Sequence, residues 1–494
     1  MTTSSHAAPP RYAFGDLFIG GAWRSGNEGT TYADIDPYTG ETLVEIAQAS
    51  VADVEAAFAA AAVAQRNWAA TTPSARAQVL RRAAAIMEDR HEEIVHWLIK
   101  ESGSVRIKAE LEWSAVRAII LEASTLPTRT WGRIIPGDIP GSEHRIYRQP
   151  VGVVTVISPW NWPMHLSSRA TAPALALGNG VALKPASETA VTGGLLLAKI
   201  FEEAGLPAGV LNVLVGDSRL IGDPIVLHPA SRVISFTGST SVGRRLAGLA
   251  VTGPTLKRVQ LELGGNNPLV VLGDANLDQA VTIAVTGRFL HQGELCVSAN
   301  RIIVEDKLYD PFVEAFSARV KALRYGDPND PATAIGPIIS QRQLDGLNRM
   351  IADAHSDGAV MRVGGAAEGL VLPPHVFSDI TDKDRLGRDE IFGPIAPVIR
   401  ARDEADALRI ANDTEYGLSS AVLTQDLDRG ERFAMRMQAG MTHINDLPAV
   451  DLANMPFGGE KNSGLGRFGA EGVIGDFTTE HWISVQRTPR TYPF

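Results

Sequence analysis

A single cysteine, Cys296, stands among 494 residues, so the chain can form no internal disulfide. Positive charge is also scarce. Lys and Arg number 46 against 56 Asp and Glu, a formal net charge of -10, and no basic run occurs. That balance gives no electrostatic footprint for nucleic acid or for an anionic membrane surface. Long unbroken apolar segments are missing as well. The window 149–168, QPVGVVTVISPWNWPMHLSS, carries no Lys, Arg, Asp or Glu and approaches the length that spans a bilayer. Pro159, Asn161 and Pro163 interrupt it, so it reads as a buried strand followed by an irregular loop. The opening, MTTSSHAAPPRYAFGD, has neither the positive start nor the apolar centre of a secretory signal, which makes the cytoplasm the expected compartment.

What is present is ordinary for a soluble globular protein: 45% hydrophobic and 21% charged residues. The length exceeds what one hydrophobic core holds, so two or more domains with a cleft between them are expected. No internal repeat or low-complexity tract is evident. Ser50 and Asp53 resemble a helix N-terminus, and apolar residues recur at helical spacing through VEAAFAAAAVAQRNW. A second helical pattern runs from SARAQVL through to Gly103, which suits a helix stop. From about residue 150 short β-branched runs (VGVVTVI, VALK, VLNVLV, RVISF) alternate with helical ones (HLSSRATAPALAL, TGGLLLAKIFEEAG, SVGRRLAGLA). This order predicts parallel βαβ units around a buried sheet. A second alternating block follows KRVQLELGG, with helices near 276–291 and 309–323, and predicts a second α/β domain. The final HWISVQRTPRTYPF is too extended for a helix and needs a partner sheet, in this chain or another subunit.

Several segments carry chemistry. GLGRFG, residues 464–469, matches the dinucleotide G-x-G-x-x-G by letter, but no apolar strand precedes it, and it reads as a flexible glycine turn. Cys296 alone would read as a small buried hydrophobe. Its neighbours Gln292, Gly293, Glu294, Ser298 and Asn300 are polar and lie at an element boundary, which places the thiol for attack. Glu262 sits between Leu261 and Leu263 in RVQLELGG. It is either an edge-strand carboxylate facing water or a desolvated one with a pKa raised toward that of a general base. Asn161, held in SPWNWP, offers a rigid amide donor of the kind an oxyanion needs. SFTGSTSVGRR is a strand, a turn and a helix start whose free N–H groups can meet an anion. Lys184 and Ser187 of LKPAS either face solvent or hold a sugar hydroxyl.

Taken in order, PWNWP, LKPAS, FTGST, LELGGNNP, GELC, EIFGP and PFGGEKNSGLGR resemble the aldehyde dehydrogenase superfamily over nearly the whole chain. The resemblance implies an α/β fold with three parts. Residues 1–137 and 151–260 form a Rossmann-like NAD(P)-binding domain, 261–455 an α/β catalytic domain, and 138–150 with 478–494 a small β extension for a homodimer or homotetramer. It also implies that Cys296 is the nucleophile, Glu262 the base for the deacylating water, and Asn161, with the backbone N–H of Cys296, the oxyanion site. Ile157, Ser158, Pro159, Trp160, Lys184, Ser187, Gly216, Phe236, Gly238, Ser239 and Val242 are implied as adenosine and diphosphate contacts. Leu263, Glu390 and Phe392 are implied at the nicotinamide end. No metal enters this scheme.

The likeness is closest to the benzaldehyde and vanillin dehydrogenase group, through SPWNWPMHLSSR, FLHQGELC, VLPPHVF, MTHIND and the tail. The residues expected to line the substrate tunnel, Trp162, Leu166, Leu290, Leu295 and Val297, are largely apolar and suit an aromatic aldehyde. An aliphatic aldehyde or semialdehyde is the alternative. Arg169 is the nearby charge that could meet an acidic substrate, although its expected place is the helix surface. Many members carry Gln at the position of Glu294, a difference the sequence does not explain. NAD-selective members often carry Glu at the position of Ser187, where a carboxylate repels a 2′-phosphate. Serine removes that repulsion, so NADP is expected to serve as well as NAD.

Overall fold

The computed structural model describes residues 11–469 and 471–494. The first ten residues, part of the expected cofactor-binding segment and of the opening read for a leader, lie outside the described residues. Among the described residues no helix is long and apolar enough to cross a membrane.

Two large sheets organise the chain. The first has eight strands, with five parallel ones at its centre in the spatial order Arg258–Glu262, Ser231–Thr237, Val153–Ile157, Gly180–Lys184, Leu211–Val213. In chain order this is 3-2-1-4-5 read from the Leu211 side, so the winding reverses between Val153–Ile157 and Ser231–Thr237. At such a reversal the following segments leave on opposite faces and open a crevice at the carboxyl ends of the strands. The second sheet has seven strands, six of them parallel, with Pro268–Val271 and Arg301–Glu305 side by side at its centre. Its alternate residues feed different cores. Leu269 and Val271 pack on one face, Val270 and Leu272 on the other, which is why these strands read as unbroken apolar runs. The short link 263–267 joins the two sheets.

The helices follow the expected spacing, with a break at Arg90 and a π-helical opening at Val191–Leu195. Ser50 and Asp53 form a reciprocal capping box on Val51–Ala69. The pattern ending at Gly103 is two helices, Pro73–Asp89 and His91–Ser102, because Arg90 leaves helical geometry at φ -108°, ψ 19°. Its guanidinium bridges Glu93 and Glu203. The apolar rhythm is the same on both sides of Arg90, so periodicity alone does not reveal the turn. The terminal segment finds its partner within the chain: Thr478–Gln486 pairs antiparallel with Ser142–Pro150, which pairs with Arg133–Ile135.

The glycine segment is not a free turn. Gly464–Leu465 forms a two-residue strand antiparallel to Leu261 and Glu262. A Cβ on Gly464 would meet the Leu261 carbonyl oxygen at 2.3 Å, so only glycine lets the two backbones come this close.

Candidate active site

Glu262 ends the edge of the parallel set in the first sheet, and its side chain is 1% exposed, which excludes a carboxylate facing water. Arg169 Nη1 donates to Glu262 Oε2 at 2.8 Å, while Oε1 has no hydrogen-bond partner. Burial raises the pKa of Glu262, and the cations of Arg169 and Arg467 pull against that rise. Arg169 is therefore not a surface residue. It is buried, it pairs with Asp451 as well as Glu262, and its guanidinium lies 4.1 Å from the centre of the Phe457 ring. His165, one helical turn earlier on Pro163–Ala176, places Nε2 at 2.7 Å from Arg169 Nη2 and 2.8 Å from Asp451 Oδ2. Burial and the Arg169 charge push His165 down to about 3, so the ring is neutral and Nε2 serves only one of these two neighbours.

Cys296 is half-buried. Burial, with the charge of Glu262 added, pushes its thiol up to about 12. The polar residues of the surrounding loop, Gln292, Glu294, Ser298 and Asn300, are buried. Asn300 Nδ2 donates to Asn266 Oδ1 and the Asp389 carbonyl, and Ser298 Oγ donates to the Gly287 carbonyl. Backbone bent into the left-handed region at His291, Gln292 and Gly293 (φ 50°, 41° and 74°) brings the chain round to the thiol. For the two non-glycine residues this conformation is costly, and such strain clusters at functional sites. Asn267 Nδ2 holds the Cys296 and Ser298 carbonyls at 2.7 and 2.9 Å. Asn161 is 3% exposed and spends one N–H on the Glu294 carbonyl at 2.9 Å, leaving the other N–H of its amide for a ligand.

The Glu294 side chain points away from this chemistry. It is fully buried, near Gln292 Nε2 and the Ile339 N–H, both at 3.4 Å, and burial pushes it up to about 8. At neutral pH it is mostly protonated, and its contribution at the thiol is the backbone carbonyl that orients Asn161.

Two clefts meet at Cys296. One, of about 740 Å³, is lined by Trp162, Leu166, Leu290, Leu295 and Val297, the five residues expected there, and by Leu111, Ala115, Ala449 and Phe457. His165, Arg169 and Asp451 supply its charged or polar wall. The other, of about 910 Å³, opens at the crevice of the first sheet and is lined by Pro159, Trp160, Gly238, Ser239, Leu263, Glu390 and Phe392. Asn161, Leu166 and Cys296 border both.

The second cleft fits a dinucleotide. Ser239 caps the helix Thr240–Thr252 without a side-chain bond to its first N–H groups, which are left for an anion. Glu390 accepts the Gly265 N–H at 2.9 Å and is pushed by burial up to about 7. A Cβ on Gly264 would strike its carboxylate at 2.4 Å. Trp160 and Phe392 pack edge to face at 5.4 Å. Lys184 is buried with a single hydrogen bond, 3.4 Å to the Pro185 carbonyl, and burial lowers it to about 8. A buried ammonium so sparsely bonded suits ribose hydroxyls. Ser187 borders a separate hollow with Tyr32 and Glu188. Ile157, Ser158, Lys184, Ser187, Gly216, Phe236 and Val242 do not line the second cleft. Ser158 Oγ bonds Ser167 at 2.6 Å, Phe236 is buried in a core, and Val242 is exposed on the helix.

Sequence reasoning missed His165, Asp451, Asn267, Arg342 and Gln343. The spacing of His165 and Arg169, four apart on one helix, marked a shared face. Nothing local marked Asp451.

Residues 23–483 match the model of the aldehyde dehydrogenase family. A vanillin dehydrogenase from Corynebacterium glutamicum is 50% identical over 470 residues, covering 95% of this chain and 97% of that protein. A benzaldehyde dehydrogenase from Bacillus subtilis is 45% identical over 477 residues, covering 97% and 98%. The crystal structure of a NAD-dependent benzaldehyde dehydrogenase from Corynebacterium glutamicum superposes with a TM-score of 0.89 at 46% identity, over 100% of both chains.

Proposed function

The chain belongs to the aldehyde dehydrogenase family, and from that premise we propose that Cys296, Asn161 and Glu262 oxidise an aromatic aldehyde to its carboxylic acid. The observation that carries this reading is the position of the one thiol between an apolar tunnel and a cleft suited to a dinucleotide. The tunnel receives a ring, and relatives named for vanillin and benzaldehyde support that choice. Among the described residues lining it, Arg169 is the one cation, and two carboxylates already hold it. That disfavours an acidic semialdehyde.

A thiol held near pKa 12 is a poor nucleophile until its proton leaves. That proton passes to water in the clefts that Cys296 borders, so Oε1 of Glu262, without a partner, stays free for the later hydrolysis. The sulfur then bonds the carbonyl carbon, and the oxygen becomes an oxyanion held by the free N–H of Asn161 and the N–H of Cys296. Reforming the carbonyl expels hydride and leaves a thioester on Cys296. NAD or NADP, held by the Ser239 turn, Lys184 and Glu390, supplies the acceptor for that hydride. Glu262 deprotonates water, which attacks the thioester, and the acid departs as the thiol is restored.

Residues 1–137 and 151–260 serve as the cofactor domain and 261–455 as the catalytic domain. Strands within 138–150 and 478–494 join subunits into a dimer or tetramer. A single thiol that must stay reduced suits the cytoplasm.

The test is a panel of benzaldehyde, vanillin, hexanal and succinic semialdehyde, each with NAD and NADP. Aromatic aldehydes are expected to give the highest kcat/KM, and a preference for either of the others sinks the aromatic reading. With Ser187 in place the two cofactors should differ by less than about 100-fold in kcat/KM. Glu262→Gln should reduce about one cofactor per site and then stall with a thioester on Cys296.

A further inference from the structure

Arg169 lies between two carboxylates at the inner end of the tunnel. Nη1 donates to Glu262 Oε2 at 2.8 Å, and Nη2 faces Asp451 Oδ2 and His165 Nε2. The guanidinium plane is packed over Phe457 and lies 5.6 Å from the centre of the Phe468 ring, both rings being buried. Resting on the reading of Glu262 as the deacylating base, we propose that Arg169 is a positioning residue that keeps Glu262 charged and aimed, and that Asp451 sets how much of its charge Glu262 receives. The fork fixes one carboxylate oxygen and leaves Oε1, without a partner, as the atom that takes a proton from water.

The charged and titratable groups around Glu262 come from every side. The helix Pro163–Ala176 presents Arg169 and His165, the segment after Leu465 presents Arg467, the loop presents Cys296, and Asp451 stands behind Arg169. His165 is in turn faced by Glu112 and Lys108. Burial favours the protonated form of Glu262, and Arg169 is the strongest influence opposing it. Beside Arg169, His165 is neutral, held so first by burial, and adds no charge of its own. Without Arg169 the balance at Glu262 shifts toward the protonated carboxyl, which cannot accept a proton from water. The thioester still forms and then waits.

The experiment uses the full chain with benzaldehyde and NAD, following the pre-steady-state burst and steady turnover from about pH 5 to pH 9.5. Arg169→Met should keep a burst of about one reduced cofactor per site and lose at least about tenfold in steady turnover at neutral pH. Its acid limb should move up by about one pH unit or more, so that the rate recovers in alkali. Arg169→Lys, with charge but no fork, should fall between it and the wild type. Asp451→Asn should move the limb the other way. A folded Arg169→Met with the wild-type limb overturns the proposal. If melting shows that this variant does not fold, Asp451→Asn decides: a limb unmoved or moved upward overturns it. Glu262→Gln is the control. Steady turnover there removes Glu262 as the base, whereas a stalled Glu262→Gln beside an unmoved Arg169 limb removes only the role given to Arg169.

Discussion

Glu294 stands two residues from the nucleophile and works through its backbone. Its carboxyl, 0% exposed, has only two long hydrogen bonds, so the folded chain keeps a proton that the unfolded chain releases near pH 4.5. The stability tied to that proton is fully present below about pH 4.5. It is lost as pH rises to the folded value of about 8. Glu294→Gln keeps the shape and removes the titration. Calorimetry should find the variant and wild type melting together at about pH 5 and the variant several degrees higher at about pH 9. Equal melting at the higher pH would refute the buried-acid account. Turnover should persist, because Asn161 uses the carbonyl. Cys296, Glu262 and Asn161 were legible in sequence because a thiol, a carboxylate between leucines and an amide between prolines are conspicuous chemistry. Where the side chains of Glu294 and Arg169 point was not, since direction depends on residues far away in the chain, Asp451 above all.

Among the elements, one of the two shortest strands matters most to the site. Gly464–Leu465 is too short to show any periodicity, so it read as a turn. In the fold it borders the strand that carries Glu262, and the Leu263 N–H donates to the Ser463 carbonyl at 2.9 Å. Gly464→Ala would place a Cβ against the Leu261 carbonyl and push the two backbones apart. Overpacking of this kind typically costs about 1–3 kcal/mol. Melting should fall by several degrees and kcat by about tenfold or more, with a smaller change in KM, because the base moves while the tunnel does not. Unchanged kcat would mean that the pairing does not position Glu262. The long parallel strands and amphipathic helices were legible, since each repeats its pattern over several residues.

For the whole molecule, the three-stranded sheet raises the question of assembly. It is small for a stable unit and leaves Trp131, Ile134 and Trp482 at 68%, 76% and 65% exposure. Trp482→Glu should shift the protein to a smaller species in light scattering after gel filtration. An unchanged mass would remove this face from the subunit contact. The architecture of two sheets and a cleft was legible from chain length and alternation, whereas the junction of the clefts at Cys296, Asn161 and Leu166 needed the fold. That junction turns the lone thiol into a census. A thiol reagent can reach Cys296 from either cleft and finds no other sulfhydryl to label. Each equivalent of reagent consumed therefore marks one disabled centre, and titrating a preparation counts its working sites without any knowledge of the substrate.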